Sequence, residues 1–297
     1  MQNSTAGQRF RTAVAAGKPL LLPGAINGYS ARLAQRVGFE ALYLSGGGVA
    51  AAMGKPDLAV TTLHDVVEDA QRITDSCDLP LLVDADTGFG GFLNIARAVR
   101  LFSRCGVAGM HLEDQVAGKR CGHRPNKQLV STAEMADRIR AACDARFDPD
   151  FVIMARSDAL ASEPMESVLE RIDSYVQAGA DMIFLEAAHE LEEYQTVKKS
   201  CGKPLLANIT EFGQTPLFTA KQLASVGVDM MLFPLSAFRA MNQAALSVYQ
   251  TIWRDGSQQA EIDNMQNRED LYDFLDYHQV EKKMDALFGE ENDNNKK

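Results

Sequence analysis

Eight short apolar runs, interleaved with longer amphipathic stretches, limit what this chain can fold into more than any other feature. The runs occupy residues 20–23, 41–45, 81–84, 109–113, 152–156, 182–186, 205–209 and 230–233. Apolar runs this short, without polar alternation, suit strands buried on both faces, as in parallel sheets. Helical patterns lie between them, at 63–77, 94–105, 132–146 and 166–178 among others. Strand and helix alternating through eight strands predict an α/β fold, a closed (β/α)8 TIM barrel. A weak internal repeat agrees: Val37-Gly38-Phe39-Glu40, Cys105-Gly106-Val107-Ala108, Ala178-Gly179-Ala180-Asp181 and Val226-Gly227-Val228-Asp229 each close a helix and lead into an even-numbered strand. Glycine just after a helix supplies the left-handed turn that ends it. The rival, an open doubly wound sheet, does not readily hold eight strands with this repeat.

One barrel with extensions accounts for all 297 residues as a single domain. Beyond the eighth strand come a long helix at 236–255 and a helical extension over about 256–288, patterned most clearly at 267–288. The extension either packs on the barrel or makes an oligomer contact. The polar tail at 290–297 is expected to be disordered. A formal net charge of −10 argues against a nucleic-acid partner, which favours a basic footprint, but not against a small anionic substrate. No apolar run approaches the roughly 20 residues that span a bilayer, and residues 1–7 lack the basic start and apolar stretch of a secretory leader. The five cysteines, at 77, 105, 121, 143 and 201, are odd in number and show no CxxC spacing. A reducing, cytoplasmic setting fits them better than a disulfide framework.

In such a barrel the active site lies at the C-terminal strand ends. Those ends read Ser45-Gly46-Gly47-Gly48, Asp84-Ala85-Asp86, His111-Leu112-Glu113-Asp114, Arg156-Ser157-Asp158, Glu186, Asn208-Ile209-Thr210 and, after strand 8, Pro234-Leu235-Ser236-Ala237-Phe238-Arg239. One polar strand end is usually a turn; seven on one face make a site. Asp84, Asp86, Glu113 and Glu186 would repel one another without a cation, and all-oxygen ligation suits Mg2+ or Mn2+. The plainer alternative is strand-end caps paired with Arg156. The glycine run either lets backbone N–H groups approach an anion or simply makes a tight turn. Arg156 and Arg239 offer bidentate carboxylate clamps, or surface ion pairs. No strand end carries the desolvated lysine that an imine-forming aldolase needs, so carbonyl chemistry here would rely on a Lewis-acid metal.

A second constellation, Ala117-Gly118-Lys119-Arg120-Cys121-Gly122-His123-Arg124, sits in a long loop after strand 4, where lids are common. Cys121 lies among basic and imidazole groups, a field expected to lower its thiol pKa toward neutrality for proton transfer. A zinc site on Cys121 and His123 lacks further ligands at suitable spacing, and a solvated basic loop is the plainer alternative.

Lys119-Arg120-Cys121-Gly122-His123 resembles the hallmark loop of the isocitrate lyase/phosphoenolpyruvate mutase superfamily. Members that cleave P–C bonds or hydrolyse oxaloacetate lack it. The remaining motifs resemble the 2-methylisocitrate lyase family. They include Tyr43-Leu44-Ser45-Gly46-Gly47-Gly48-Val49, Val83-Asp84-Ala85-Asp86, Glu113-Asp114-Gln115, Met154-Ala155-Arg156, Ala207-Asn208-Ile209-Thr210-Glu211-Phe212-Gly213 and Pro234-Leu235-Ser236-Ala237-Phe238-Arg239. The likeness spans about residues 8–288. It implies cleavage of 2-methylisocitrate to pyruvate and succinate in propionate breakdown by the methylcitrate cycle, and a tetramer that swaps its last barrel helix between subunits. It implies Mg2+ near Asp84 and Asp86, with Asp57, His111 and Glu113 close by. Substrate contacts are implied for Ser45, Gly46, Gly47, Cys121, Gly122, Arg156, Glu186, Asn208, Ile209, Thr210, Arg239 and Arg268. Catalytic roles fall to Cys121 as the acid, with Lys119, Arg120 and His123 of its loop, and Tyr43 is the candidate base. Phe184 and Leu232 would wall a pocket for the extra methyl. One departure is Leu185, where the family pattern has proline. Other readings are isocitrate or 2,3-dimethylmalate cleavage, a phosphoenolpyruvate mutase or oxaloacetate hydrolase, and a non-catalytic metabolite-binding barrel.

Overall fold

Each apolar run becomes a strand. The computed structural model describes residues 4–124 and 126–294. The strands are β1 (Leu20–Pro23), β2 (Leu42–Leu44), β3 (Leu81–Asp84), β4 (Gly109–Glu113), β5 (Val152–Ser157), β6 (Met182–Leu185), β7 (Leu205–Asn208) and β8 (Met230–Phe233). The helices are α1 (Ala6–Val14), α2 (Gly28–Val37), α3 (Gly46–Ala52), α4 (Leu63–Thr74), α5 (Phe92–Arg104), α6 (Thr132–Asp144), α7 (Met165–Gln177), α8 (Leu191–Cys201), α9 (Ala220–Ser225), α10 (Ser236–Asp255), α11 (Arg268–Phe274) and α12 (Tyr277–Asn294).

All strand pairs are parallel, and the order β1-β8-β7-β6-β5-β4-β3-β2 closes on itself. β1 pairs β8 through Leu20↔Met230. A bridge between Gly24 and Tyr43 joins β1 to β2, where the Ala25 N–H donates to the Tyr43 carbonyl at 2.9 Å. This is a (β/α)8 TIM barrel. Two apolar layers hold it. Inside, Leu22, Tyr43, Leu82, Met154, Phe184, Leu206 and Leu232 fill the barrel, and Phe10 and Val14 of α1 join them. Outside, Leu44, Val83, Leu112 and Ile183 pack with the helix residues Ile73, Phe102, Ile139 and Tyr175. Truncating a side chain as buried as Phe102 costs about 3–5 kcal/mol.

Local chemistry sets the helix ends. Thr62 and Asp65 form a reciprocal capping box on α4. Gly38, Gly106, Gly179 and Gly227 all take positive φ, from 76° to 110°, as the repeat requires. The glycine run after β2 takes the second of its two readings, a tight strand-to-helix turn: it winds directly into α3, capped by the Ser45 hydroxyl.

Two compact units divide the chain, one running through Phe238 with the barrel, the other from Arg239 onward. In the first, Leu21 on β1 is 37% exposed, although strand residues elsewhere in the ring are covered. In the second, Met241, Leu246, Tyr249, Ile252 and Trp253 of α10 are exposed. The helix expected at 267–288 is broken between α11 and α12, where Asp276 takes φ 54°. α12 continues to Asn294, inside the stretch expected to be a disordered tail; residues 295–297 lie outside the described residues. Among the described residues no helix is long and apolar enough to cross a membrane.

Candidate active site

β3 and β4 deliver an acidic cluster to the C-terminal mouth. Asp84 ends β3, Asp86 follows it, and Glu113 ends β4; one oxygen from each lies within 4.8 Å of the others, and all three residues are buried. Asp84 accepts from the Gly46 N–H at 3.1 Å and the Asp86 N–H at 3.0 Å. A Cβ at position 46 would sit 3.1 Å from Asp86 and 3.2 Å from Asp84, so glycine permits this approach. Glu113 Oε1 has no hydrogen-bonding partner, Glu113 Oε2 has only the ion pair with Arg156 at 3.2 Å, and Asp86 Oδ1 only that with Lys119 at 2.7 Å. Three buried carboxylates converging within reach of one point, one of their oxygens without a partner, are what a hard cation satisfies, so these residues fit Mg2+ or Mn2+. Charge agrees. Burial and then Asp84 push Asp86 up to about 6, and burial pushes Glu113 well above the carboxylate range. Burial also opposes ionisation of Asp84, yet His111 in its charged form, Lys119 and Arg156 hold it down to about 2. Asp86 itself takes φ 47°, an uncommon left-handed setting for a non-glycine residue.

Tyr43 and His111 lie beneath the cluster. The two rings stack, and the Tyr43 hydroxyl shares a 2.9 Å hydrogen bond with His111 Nε2. Burial lowers His111 to about 4, so it is neutral at pH 7, and its 3.6 Å approach to Asp84 is not an ion pair there. Burial, aided by Asp84, raises the Tyr43 phenol well above 10.

β5, β6 and β7 build the opposite side. Arg156 is 3.2 Å from Glu113 and donates to Asp158 through Nε at 3.0 Å and Nη2 at 3.2 Å. Its guanidinium lies over the Phe184 ring, 5.2 Å from the centroid. Glu186 faces His123 Nε2 at 3.0 Å and accepts from Asn208 Nδ2 at 3.3 Å. Burial would raise Glu186, but Arg156 and His123 outweigh it and hold the carboxyl down to about 2. Beneath, Asp114 accepts from Ser157 Oγ at 2.8 Å, the Asp158 N–H at 2.8 Å and the Tyr175 hydroxyl at 2.9 Å.

The Cys121 loop crosses this mouth. Lys119 Nζ donates to Asp57 at 2.6 Å and lies 2.7 Å from Asp86. The Gln115 amide grips the Arg120 backbone in both directions, at 2.9 and 3.0 Å. Gly122 passes so close to the barrel that a Cβ would lie 2.3 Å from Arg156 and 2.4 Å from Glu186. Cys121 is half-buried, and burial raises its thiol rather than lowering it. The expected depression fails because the basic neighbours face elsewhere: Lys119 toward Asp57 and Asp86, Arg120 toward solvent, His123 toward Glu186.

The other candidates are distributed plainly. Ser45, Asn208, Ile209 and Thr210 are buried at the C-terminal strand ends, Gly47 lies beside Asp57, and Phe184 and Leu232 face the barrel interior. Leu185, fully buried, stands in β6 where proline would remove a donor. Arg239 lies in α10 and Arg268 opens α11, both in the second unit. Sequence reasoning named Lys119 with its loop but missed a second lysine with a buried side chain, Lys127. Lys119 and Lys127 come from the loop, not from strand ends, and both are held by carboxylates. Burial would lower the Lys119 ammonium, but Asp86 and Asp84 raise it well above its usual range, so it is no imine-forming amine.

A barrel with this acidic mouth and cysteine loop defines a class of enzyme acting on small carboxylates. The chain belongs to the phosphoenolpyruvate phosphomutase family, whose model matches residues 10–253, within the superfamily that includes isocitrate lyase. It is 56% identical to a 2-methylisocitrate lyase of Vibrio cholerae over 96% of this chain and 94% of that protein. Its fold matches a crystal structure of 2,3-dimethylmalate lyase with TM-score 0.88 and 36% identity, covering 96% of each chain. It also matches phosphonopyruvate hydrolase complexed with oxalate and Mg2+, with TM-score 0.83 and 27% identity, over 96% of this chain and 98% of that one.

Proposed function

We propose that this chain is a carbon–carbon lyase that cleaves 2-methylisocitrate to pyruvate and succinate. The observation that carries the reading is the placement of Cys121: a thiol kept protonated by burial, on a loop that Lys119 ties to the acidic cluster. Asp84, Asp86 and Glu113 would hold Mg2+, with Mn2+ as an alternative, and Asp57 and His111 nearby. When bound, the cation supplies Lewis-acid stabilisation of the oxygen that becomes the new carbonyl. Arg156, Asn208 and Thr210 bind the substrate carboxylates. Tyr43, as the candidate base, takes the substrate hydroxyl proton; the C2–C3 bond breaks as that oxygen becomes the pyruvate carbonyl, and Cys121 delivers its proton to the carbanion carbon left on the succinate half. The crossing loop excludes water from that carbanion. Phe184 and Leu232 wall the methyl pocket; one methyl is worth only about 1–3 kcal/mol, so isocitrate and 2,3-dimethylmalate are the natural competitors. The proposed assembly is a cytoplasmic homotetramer with a swapped helix, supported by the exposed apolar residues of α10.

Pyruvate and glyoxylate release from 2-methylisocitrate, isocitrate and 2,3-dimethylmalate, with Mg2+ or with EDTA, tests this. Pyruvate from 2-methylisocitrate, lost with EDTA and far exceeding glyoxylate from isocitrate, is the expected result. Predominant glyoxylate would overturn the substrate assignment. Cys121→Ser should lower turnover by about 10^2–10^4-fold and leave substrate affinity largely intact. Near-normal turnover in that variant would remove Cys121 as the acid.

A further inference from the structure

Lys127 grips the catalytic loop from beneath. Its side chain is 2% exposed, and Nζ donates to two acceptors: the Gly122 carbonyl at 2.6 Å and Asp158 Oδ1 at 2.8 Å. Gly122 adjoins Cys121, so this bond fixes the backbone that carries the thiol. Asp158 is fully buried and already paired with Arg156 through two donors, at 3.0 and 3.2 Å. Its charge therefore has a partner without Lys127. What the lysine adds is a tether, because an ammonium with several donors can bridge a carboxylate and a carbonyl at once. The ends of the crossing are held separately: Gln115 grips Arg120, and Gln214 grips His123 through its backbone N–H at 3.1 Å and its side-chain amide at 3.0 Å. Between them, among the described residues, Lys127 is the side chain that holds the Gly122 carbonyl.

We propose that Lys127 is a positioning residue that latches the Cys121 loop over the site, with Asp158 as its seat. An open loop leaves Asp158 with one cation instead of two, and Arg156 keeps both of its bonds to that carboxylate. Asp158 is itself immobilised by its N–H to Asp114, so the anchor belongs to the barrel and the moving part is the loop. The inference rests on the lyase reading for its turnover arm only.

The test replaces Lys127 with Met, which keeps the stem and removes the ammonium, and with Arg, which keeps the charge. In the Mg2+-loaded protein without substrate, the rate at which iodoacetamide labels Cys121 is followed by peptide mass spectrometry from pH 6 to 10. We expect Lys127→Met to label at least about fivefold faster at every pH, with Lys127→Arg in between. In the lyase assay kcat should fall about 30-fold or more while KM stays within about threefold, because ground-state clamping by Arg156 survives and proton delivery does not. Unchanged Cys121 labelling in a folded Lys127→Met protein would overturn the latch, whatever the turnover. A kcat loss matched by an equal rise in KM would overturn it too, since that pattern reports a lost binding contact. If Lys127→Met does not fold, Lys127→Arg carries the labelling test alone, and labelling equal to the parent overturns the proposal. The labelling arm needs no substrate, so it supports or overturns the latch even in a chain that cleaves none of the three acids.

Discussion

Glu113 and Glu186 end neighbouring parts of the same barrel, both are buried, and both approach Arg156, at 3.2 and 3.9 Å. Yet burial, joined by Asp158 and Asp86, pushes Glu113 far up, whereas Arg156 and His123 overcome burial and hold Glu186 down to about 2. Partners account for the difference. Glu186 has His123, Asn208 and Arg156 around it, while Glu113 Oε1 has no hydrogen-bonding partner and Oε2 only the ion pair with Arg156. The β5–β6 side is thus a finished frame, with every major charge answered by protein. The β3–β4 side is left short of positive charge at Asp86 and Glu113, whose carboxyls are both pushed up. A buried site is assembled at a net electrostatic cost only where something else arrives to offset it. The unsatisfied side is therefore the one whose residues fit a cation, and the satisfied side is the rigid one on which the proposed substrate contacts lie.

The sharpest way to break this contrast is to change the acidic side. Asp84→Asn should lower turnover by at least about 10^3-fold, the scale of losing a metal's contribution to a charged transition state. It should also abolish any rise in melting temperature on adding Mg2+. For the parent that rise should be clear, since a ligand bound only by the folded state adds about 2.7 kcal/mol at a hundredfold excess over Kd. Thermal melts in Mg2+ and in EDTA read both. A variant that keeps the full Mg2+ shift would place the cation elsewhere.

The opposite change should give the opposite signature. Glu186→Gln leaves Arg156 and His123 short of a buried anion, so it should destabilise the fold by about 3 kcal/mol and leave the Mg2+ shift intact. Its pH dependence has a definite sign. The folded carboxyl ionises near 2 and the unfolded one near 4.5, so its stabilisation is complete above pH 4.5 and is lost as pH falls from there toward 2. The parent should therefore lose melting temperature more steeply than Glu186→Gln across that window. Parallel acid curves for the two proteins would mean that Glu186 is not held by its partners.

The same contrast explains what was legible in the sequence. Eight strands could be read because parallel strands are apolar on both faces, and their observed bounds fall within one residue of the apolar runs. Three members of the acidic ring, Asp84, Asp86 and Glu113, could be read because they close strands or follow one directly, so the fold brings them together; the fourth, Glu186, faces His123 and Arg156 instead. The break between α11 and α12 was hidden because Phe274-Leu275-Asp276-Tyr277 contains neither Gly nor Pro, and the left-handed residue is an aspartate. The finished frame was harder still. Lys119 and Lys127 reach the mouth only because of the path of a long loop, and nothing in the local sequence gives that path. The same gap produced the wrong expectation for Cys121. Adjacent basic letters suggested a positive field, but in space each basic side chain answers an acid or the solvent, and burial dominates the thiol.

The smallest expected effect is the one that tests whether the acidic side is truly unbalanced. Asp86 titrates near 6 in the folded chain against 3.8 for an ordinary aspartate, because burial and Asp84 oppose its charge more than Lys119 favours it. The folded state then holds its proton more tightly than the unfolded one. Stability from this group is greatest below pH 3.8, declines as pH rises to 6, and stays low above that. Asp86→Asn removes the charge while keeping the shape, and Asp57 remains to hold Lys119. In EDTA at pH 7–8 the variant should therefore melt slightly above the parent, by about 2–4 °C for each kcal/mol of repulsion relieved. The advantage should shrink as pH falls through 6 and vanish near 4, where the parent aspartate is neutral as well. Adding Mg2+ should reverse the order, because only the parent keeps its full set of charged ligands. A variant less stable than its parent in EDTA at pH 8 would mean that the Lys119 pair outweighs the repulsion and that the mouth is balanced without a metal.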